Sequence, residues 1–453
     1  MRSVGFDGQN GRSLGGNYRR LFSATAISNL GDGVGVIAYP WLATAITRNP
    51  LLIALVAVAQ RLPWLVFSLP AGVITDRGDR RTLMVGANAL RAVLTGLVAV
   101  AVLARQDAIP APDQVEQVVG TEWLLYALIL VATLLLGMCE VIYDNSAQTF
   151  LPAIVGTADL ERANGRMYSA ELVANQFAGP PLASLLLLAG FAVPVIFDAG
   201  TFAVSAALVF AIVATPRPVP AGTAVDRQPW RTELAEGFRW LWRHDVIRTL
   251  AITLGGLNLL SQVSFALIVL YGQEVLDTTI TEFALFTMGG AVGGVVGGWT
   301  ASAVIRRIGS GPSLALTLWG GALCTIALAF ISSWPLAAAA LFVFLFTGTL
   351  WNVITVSFRQ TVVPDRLLGR VNSVYRFFGW GAIPIGGLIG GLIVAVLDGP
   401  LSRDTALRAP FVVAGVAQLA LSLWAVSRLT TAKLDAARDG STATVRAVDP
   451  TPR

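Results

Sequence analysis

Charge is what this 453-residue chain has least of: 13% of its residues are Asp, Glu, Lys or Arg, against 55% hydrophobic ones. A soluble domain carries roughly 25% charged residues, so a water-facing surface over the whole chain is excluded. Histidine and cysteine are nearly missing too. The one histidine, His244, stands between Arg243 and Asp245, and the two cysteines, Cys139 and Cys324, fall inside apolar runs. Transition-metal sites need clusters of such ligands. No metal ion is therefore expected, and both thiols are expected to be free. No phosphate-binding Walker loop occurs, which argues against ATP hydrolysis. No cofactor is implied, and no nucleophile, base and orienting group converge in any motif, so an enzyme is not expected.

What the chain has instead is apolar runs of about 20 residues, the length a helix needs to cross roughly 30 Å of hydrocarbon. Twelve are legible, near residues 20–46, 51–75, 82–104, 122–150, 166–190, 192–214, 246–272, 280–305, 313–332, 335–356, 370–397 and 408–428. The expected fold is an all-α integral membrane protein. Residues 1–18 are polar and Gly-rich, with no apolar core or cleavage site, and are expected to form a cytoplasmic tail and not a signal peptide. Cytoplasmic segments hold the excess of basic residues. With the N-terminus inside, only Arg48, Arg105, Arg403 and Arg408 fall outside and Arg61, Arg91 and Arg376 within spans; the remaining basic residues lie on the inner side. Both termini are then cytoplasmic. The net charge of +5 reflects this bias and does not imply nucleic-acid binding.

A long connection, 215–245, splits the runs into six and six. It opens Pro-rich, then Leu234, Phe238 and Leu241 follow helical spacing between charges, which predicts an amphipathic helix on the inner membrane surface. The halves are similar to each other. "AQTFLP" (147–152) matches "RQTVVP" (359–364), "ERANGR" (161–166) matches "GRVNSV" (369–374), and Asn164 stands to Gly179 as Asn372 stands to Gly387. Such order argues for duplication. The expected domains are six-helix bundles over 19–214 and 246–428, followed by a disordered cytoplasmic tail over 429–453. Parallel six-helix repeats are the architecture of transporters that rock two bundles about a central site.

The loop between the second and third runs, "AGVITDRGDRR" (71–81), concentrates charge next to Gly72. Glycine allows close helix approach, and Asp76 can accept hydrogen bonds from the N-terminal end of a facing helix, the eleventh being the natural candidate. The alternative is that these charges only anchor the topology. The pattern Gly72, Asp76, Arg77, Gly78, Arg80, Arg81 resembles the loop signature of the major facilitator superfamily. With "SNLGDGVGVIAYPWL" in the first run and "RLPWLVFSLPAGVITDR" in the second, the chain is similar to its drug- and siderophore-exporting branch, including enterobactin-exporter-like and actinobacterial multidrug efflux permeases. The resemblance implies two parallel six-helix bundles and a cytoplasmic latch at Asp76 and nearby arginines; because one chain carries both halves, function as a monomer is expected. In the second half Ser302 stands near where the matching Asp would fall, so the latch is expected to be asymmetric. Gly179, Pro180 and Pro181 in the fifth run break the helix and resemble the antiporter motif of the superfamily, with Ala183 and Ser184 in place of its usual glycine pair.

Ionisable groups inside spans are costly and face cavities, partners or function. Asp32 and Arg61 lie near mid-membrane, and Asp32 is the first choice for proton coupling, with Arg61 as its expected partner. Glu140 and Asp144, at i and i+4, share one face of the fourth run and are read either as a protonation pair or as a structural network with Arg91 and the loop arginines. Glu171 and Arg376, in matching parts of the repeat, are expected to close a cytoplasmic gate by pairing. Asp198 is expected at the outer membrane interface. Drug:proton antiporters of the superfamily commonly carry an Arg in the fourth run, and this chain has none there. Tyr39, Trp41, Asn258, Gln262, Phe265, Trp351 and Asn352 are expected to line a substrate cavity suited to a large amphipathic solute. Together these readings imply a proton-driven exporter of a drug, siderophore or secondary metabolite in a bacterial cytoplasmic membrane, with a small-molecule substrate, protons and the lipid bilayer as partners. Uptake by proton symport, and a non-transporting receptor or partner subunit that keeps the fold, are the alternatives.

Overall fold

The computed structural model describes residues 14–155, 159–213 and 230–448. Most of the expected N-terminal tail, the Pro-rich part of the connection and residues 449–453 lie outside these residues, as do the side chains of Asp76 and Leu234. The first half comprises α1 (Gly16–Ile46), α2 (Pro50–Val66), α3 (Ser68–Arg77), α4 (Arg80–Ala104), α5 (Trp123–Ile154), α6 (Leu160–Leu172), α7 (Gly179–Leu187) and α8 (Ala192–Phe210). After α9 (Trp230–Arg243), the second half comprises α10 (Asp245–Phe265), α11 (Ile268–Glu274), α12 (Ile280–Ile308), α13 (Ser310–Phe330), α14 (Trp334–Val362), α15 (Asp365–Leu397) and α16 (Arg403–Val426), followed by α17 (Thr431–Val448). Apart from an isolated bridge between Thr47 and Thr121, the described residues carry no β-pairing.

Ten described helical segments are long and apolar enough to cross a membrane. Two further apolar paths are broken. One bends at Phe67, between α2 and α3. In the other, a π-helical turn, Val173–Ala178, separates α6 from α7. The prolines following Gly179 have no N–H to donate, so the regular i→i−4 ladder cannot continue through them, and a widened turn absorbs the mismatch. Elsewhere, helix starts are capped by polar side chains. The Asn49 side chain accepts from the amides of Leu51 and Leu52, Asp79 accepts from Thr82 N at 2.8 Å, and Thr279 and Glu282 form a reciprocal capping box.

Gly16 and the last turn of α16 define what is called here the terminal end; Ile46, Trp123 and Arg403 mark the far end. Glycines set the packing. Cβ atoms on Gly386 and Gly390 of α15 would strike the backbone of Leu259 and Val263 on α10, while those on Gly387 and Gly391 would meet Val58 and Ala54 on α2. Helix α15 is thus wedged between its own half and the other one. Without water to drive association, such close backbone approach is how membrane helices gain contact. A second seam joins α7 to α12, where the Ser184 hydroxyl donates to Ile280 O at 3.2 Å.

Helix α9 lies against the start of α15. Gly237 sits on the Arg370 backbone, Glu236 pairs with Arg370, and Leu241 is fully buried. The tail expected to be disordered from 429 carries α17: Leu429 and Leu434 are buried in the second half's terminal core, and Arg438 lies over the Phe358 ring of that core.

Candidate functional site

A cavity of about 910 Å³ lies between the halves. It reaches the terminal end at Asn164 and Tyr168, whose side chains are exposed. Helix α1 supplies Asp32 and Tyr39, α2 Arg61 and Trp64, α4 Arg91, α5 Glu140 and Asp144, α6 Glu171, α8 Asp198, and α15 Arg376 and Trp380. Five carboxylates therefore face three arginines in one chamber.

Arg91 makes an ion pair with Asp32. The expectation that Arg61 is that partner is corrected: Arg61 lines the same wall with its side chain exposed, while the Arg91 side chain reaches α1 from α4, which packs on α8. The guanidinium lies over Phe202, with Cζ 3.8 Å from the ring centroid, and also contacts Ser28 Oγ at 3.4 Å. Aromatic stacking of this kind holds a desolvated cation in one plane. Asp198, expected at an interface, is instead 2% exposed and accepts a 2.5 Å hydrogen bond from Tyr39 Oη. Its place follows from Gly31, where a Cβ would collide with Asp198 and Thr201; that vacancy lets α8 close on α1.

Several expected lining residues lie elsewhere. Trp41 is buried against Phe283 and donates from Nε1 to Pro112 O at 2.8 Å. Trp351 belongs to the second half's apolar core, and the adjoining Asn352 is exposed away from the chamber. Asn258 donates to Gly379 O at 2.8 Å, and Gln262 packs against Gly386 and Gly387. Both serve the α10–α15 contact. Tyr39 and Phe265 do line the chamber.

The charged loop behaves differently from a contact across the halves. A Cβ on Gly72 would meet nothing within 4 Å, so no neighbour packs on the face where its side chain would stand. Arg77 is exposed at the last turn of α3, and Gly78 closes that helix with its amide on Ile74 O at 2.8 Å. Arg80 donates to Thr149 O at 2.9 Å. Arg81 donates to Val209 O at 3.4 Å and to Phe210 O, with its guanidinium over the Phe210 ring. These arginines complete the carbonyl ends of α5 and α8 within their own half, where cations are favoured by the helix dipole. Glu171 and Arg376 both line the chamber mouth, and no ion pair joins them among the described residues.

Sequence reasoning missed the far-end clasp. Arg48, just after α1, pairs with Glu274 of α11 and donates to Gln273 Oε1 at 2.7 Å. Arg403 binds Glu274 at 2.7 Å and Asp398 at 2.5 Å, and its Nη2 donates to Arg48 O at 2.9 Å. Gln273 Nε2 reaches back to Thr44 at 2.9 Å. Two acids and two arginines in apposed far-end segments are the signal that was available, but pairing across some 225 residues cannot be read from spacing.

The chain resembles known proteins along most of its length. It is 26% identical over 416 residues to the multidrug efflux pump Tap of Mycolicibacterium fortuitum, covering 90% of this chain and 94% of that one. To Tap of Mycobacterium tuberculosis it is 25% identical over 426 residues, 92% and 94% of the two chains. Among solved structures, the nucleoside transporter NupG superposes with a TM-score of 0.70 at 12% identity, covering 91% of this chain and 99% of that one. A bacterial homologue of ferroportin in an inward-facing state gives 0.66 at 17% identity, covering 91% and 100%. The family model described as Major Facilitator Superfamily matches residues 21–383, and with the helical halves and shared chamber described above, the chain belongs to the major facilitator superfamily.

Proposed function

We propose that this transporter exports hydrophobic or amphipathic small molecules in exchange for protons, by alternating access. The observation that carries the reading is the chamber itself: a large cavity rich in carboxylates, reaching one end of the molecule and clasped at the other by an ion pair and hydrogen bonds between the halves. A volume near the upper end of ligand pockets suits a bulky solute, and Trp64, Trp380 and Phe265 offer aromatic faces to it. Counting the broken paths 50–77 and 160–187 as crossings gives twelve, with both termini on the cytoplasmic side. The terminal end then faces the cytoplasm and the clasp faces outward. The inward-open form would load solute from the cytoplasm or inner leaflet. Proton binding at the chamber carboxylates from outside would drive the return step. The named relatives, multidrug efflux pumps, favour export.

The test is accumulation of fluorescent dyes and antibiotics in cells that express the chain, with and without a protonophore. Lower accumulation that the protonophore reverses is expected; accumulation unaffected by expression across a wide panel would overturn the export reading.

A further inference from the structure

Three buried polar atoms in one place have no hydrogen-bond partner: Arg91 Nε, Thr95 Oγ1 and Asp198 Oδ1. Burying such atoms without a partner is costly, so a cluster of them beside a charged side chain asks for a second arrangement that satisfies them. We propose that Asp198 is the alternate seat of the Arg91 guanidinium, which pairs with Asp32 while Asp32 is ionised and moves about one helical turn onto Asp198 when Asp32 takes up a proton. The assignment deepens the proton-exchange reading of this chamber and rests on it for its use in transport.

The geometry supplies the track. Arg91 stacks on Phe202, and Asp198 lies four residues earlier on the same helix, so the two side chains are neighbours on one face of α8. Sliding along that face carries the guanidinium from the Phe202 ring to the bare Oδ1, while Tyr39 holds the other carboxylate oxygen. Thr95, one turn beyond Arg91 on α4, borders the same gap. The two seats differ in access to water. The Asp32 side chain is 31% exposed, so protons exchange there; Asp198 is 2% exposed, so it needs a counter-charge more than Asp32 does.

The step balances. A proton from cavity water binds a carboxylate oxygen of Asp32, the hydrogen bond from Arg91 to that group breaks, and Arg91 forms one to Asp198. Arg91 keeps all its protons, and the trio changes from a net charge of −1 to zero. Loss of the proton to water reverses it. The other titratable and charged groups facing these residues are Tyr39 on α1, Arg61 on α2, Cys139, Glu140, Tyr143 and Asp144 on α5, Glu171 on α6 and Arg376 on α15. They stay unchanged throughout the test.

The test uses the purified full-length chain and reads no transport, so its failure is distinct from failure of the export reading. Apparent unfolding temperatures are measured for wild type, Asp32→Asn, Asp198→Asn, the double variant, and the double variant with Arg91→Gln. With two seats, each single change leaves Arg91 a carboxylate. The double variant strands a buried cation and should fall at least ~5 °C below the sum of the single effects. Arg91→Gln should then restore it. Acidification should destabilise Asp198→Asn more steeply than wild type, because protonating Asp32 then leaves Arg91 no seat. Additive single effects, failure of Arg91→Gln to restore the double variant, or an Asp198→Asn pH profile identical to wild type would each overturn the proposal. If the double variant does not fold at all, recovery on adding Arg91→Gln is the same positive result and no recovery the same negative one.

Discussion

Gly33 and Gly179 meet where α1 crosses the start of α7, so closely that a Cβ on Gly179 would fall on the backbone of Gly33. The π-helical turn just before Gly179 brings Ala174 and Asn175 onto Gly33 as well, and Asn175 Nδ2 donates to Asn29 Oδ1 at 2.9 Å. The kink is therefore a docking device for α1. Gly179→Ala should destabilise the fold by about 1–3 kcal/mol, the range for overpacking, and Gly179→Val should abolish folded protein in detergent. Gly165→Ala, inside α6 where a Cβ meets nothing within 4 Å, should leave the unfolding temperature unchanged or raise it slightly. Comparable unfolding temperatures for the Gly179 and Gly165 variants would remove the packing role.

The clasp between Arg48 and Glu274 makes a prediction of opposite kind, on conformation and not on folding. Both side chains are 16% exposed, and Glu274 keeps Arg403 as a partner when Arg48 is lost, so the change removes one charge-assisted contact worth about 1.5 kcal/mol. Arg48→Ala should therefore shift the balance between the two access states by about tenfold towards an open far end, read as faster labelling of a cysteine placed at Tyr39. Arg48→Lys, which keeps the charge beside Glu274, should hold labelling nearer the wild-type rate. Unchanged labelling in Arg48→Ala would mean the clasp does not hold the far end shut.

How much of this was legible in the sequence depends on the range of the interaction. Helix positions follow from apolar run length, which is local, and the observed boundaries fall within several residues of the expected ones. Asp32, Glu140 and Asp144 were found because a charge in an apolar run stands out by itself. The partner of Asp32 was not, because Arg91 and Arg61 are both plausible by depth, and only the packing of α4 on α8, which brings Arg91 to α1, decides between them. Asp198 was misplaced because depth along a helix says nothing of the direction a side chain faces. Aromatic and amide residues misled for the same reason: Trp41 and Asn258 each satisfy a carbonyl inside the protein. The charged loop was recognised, but Arg80 and Arg81 bind carbonyls of their own half, a local duty that a motif spanning eleven residues does not reveal.

Asp79 in that loop gives a pH prediction. It caps α4, accepting from Thr82 N at 2.8 Å and Thr82 Oγ1 at 2.7 Å, and these bonds hold its carboxyl below the usual range. A carboxyl so depressed stabilises the fold fully above about pH 4, and the contribution disappears as pH falls through the folded-state value. Asp79→Ala should cost about 1 kcal/mol at neutral pH, with the gap to wild type closing in acid. Asp79→Asn, which caps without titrating, should show no such closure. A gap independent of pH would assign the loss to something other than the ionised cap.

The two tryptophans Trp64 and Trp351 separate substrate contact from core packing. Trp64 faces the chamber and lies 5.9 Å from Trp380 across the halves; Trp351 is 3% exposed inside the second half. Removing a chamber ring takes away an aromatic surface available to solute without opening a void, so Trp64→Ala should keep the unfolding temperature and weaken binding of planar aromatic dyes by about tenfold, a loss of ~1.4 kcal/mol. Trp351→Ala leaves a cavity in a packed core and should cost about 3–5 kcal/mol, while any protein that folds keeps its relative affinities among dyes. Dye binding to purified variants, followed by fluorescence alongside thermal unfolding, distinguishes the two. A changed dye ranking in Trp351→Ala with Trp64→Ala unaffected would place the solute in the second half, away from the carboxylates, and would separate solute binding from the charged chamber altogether.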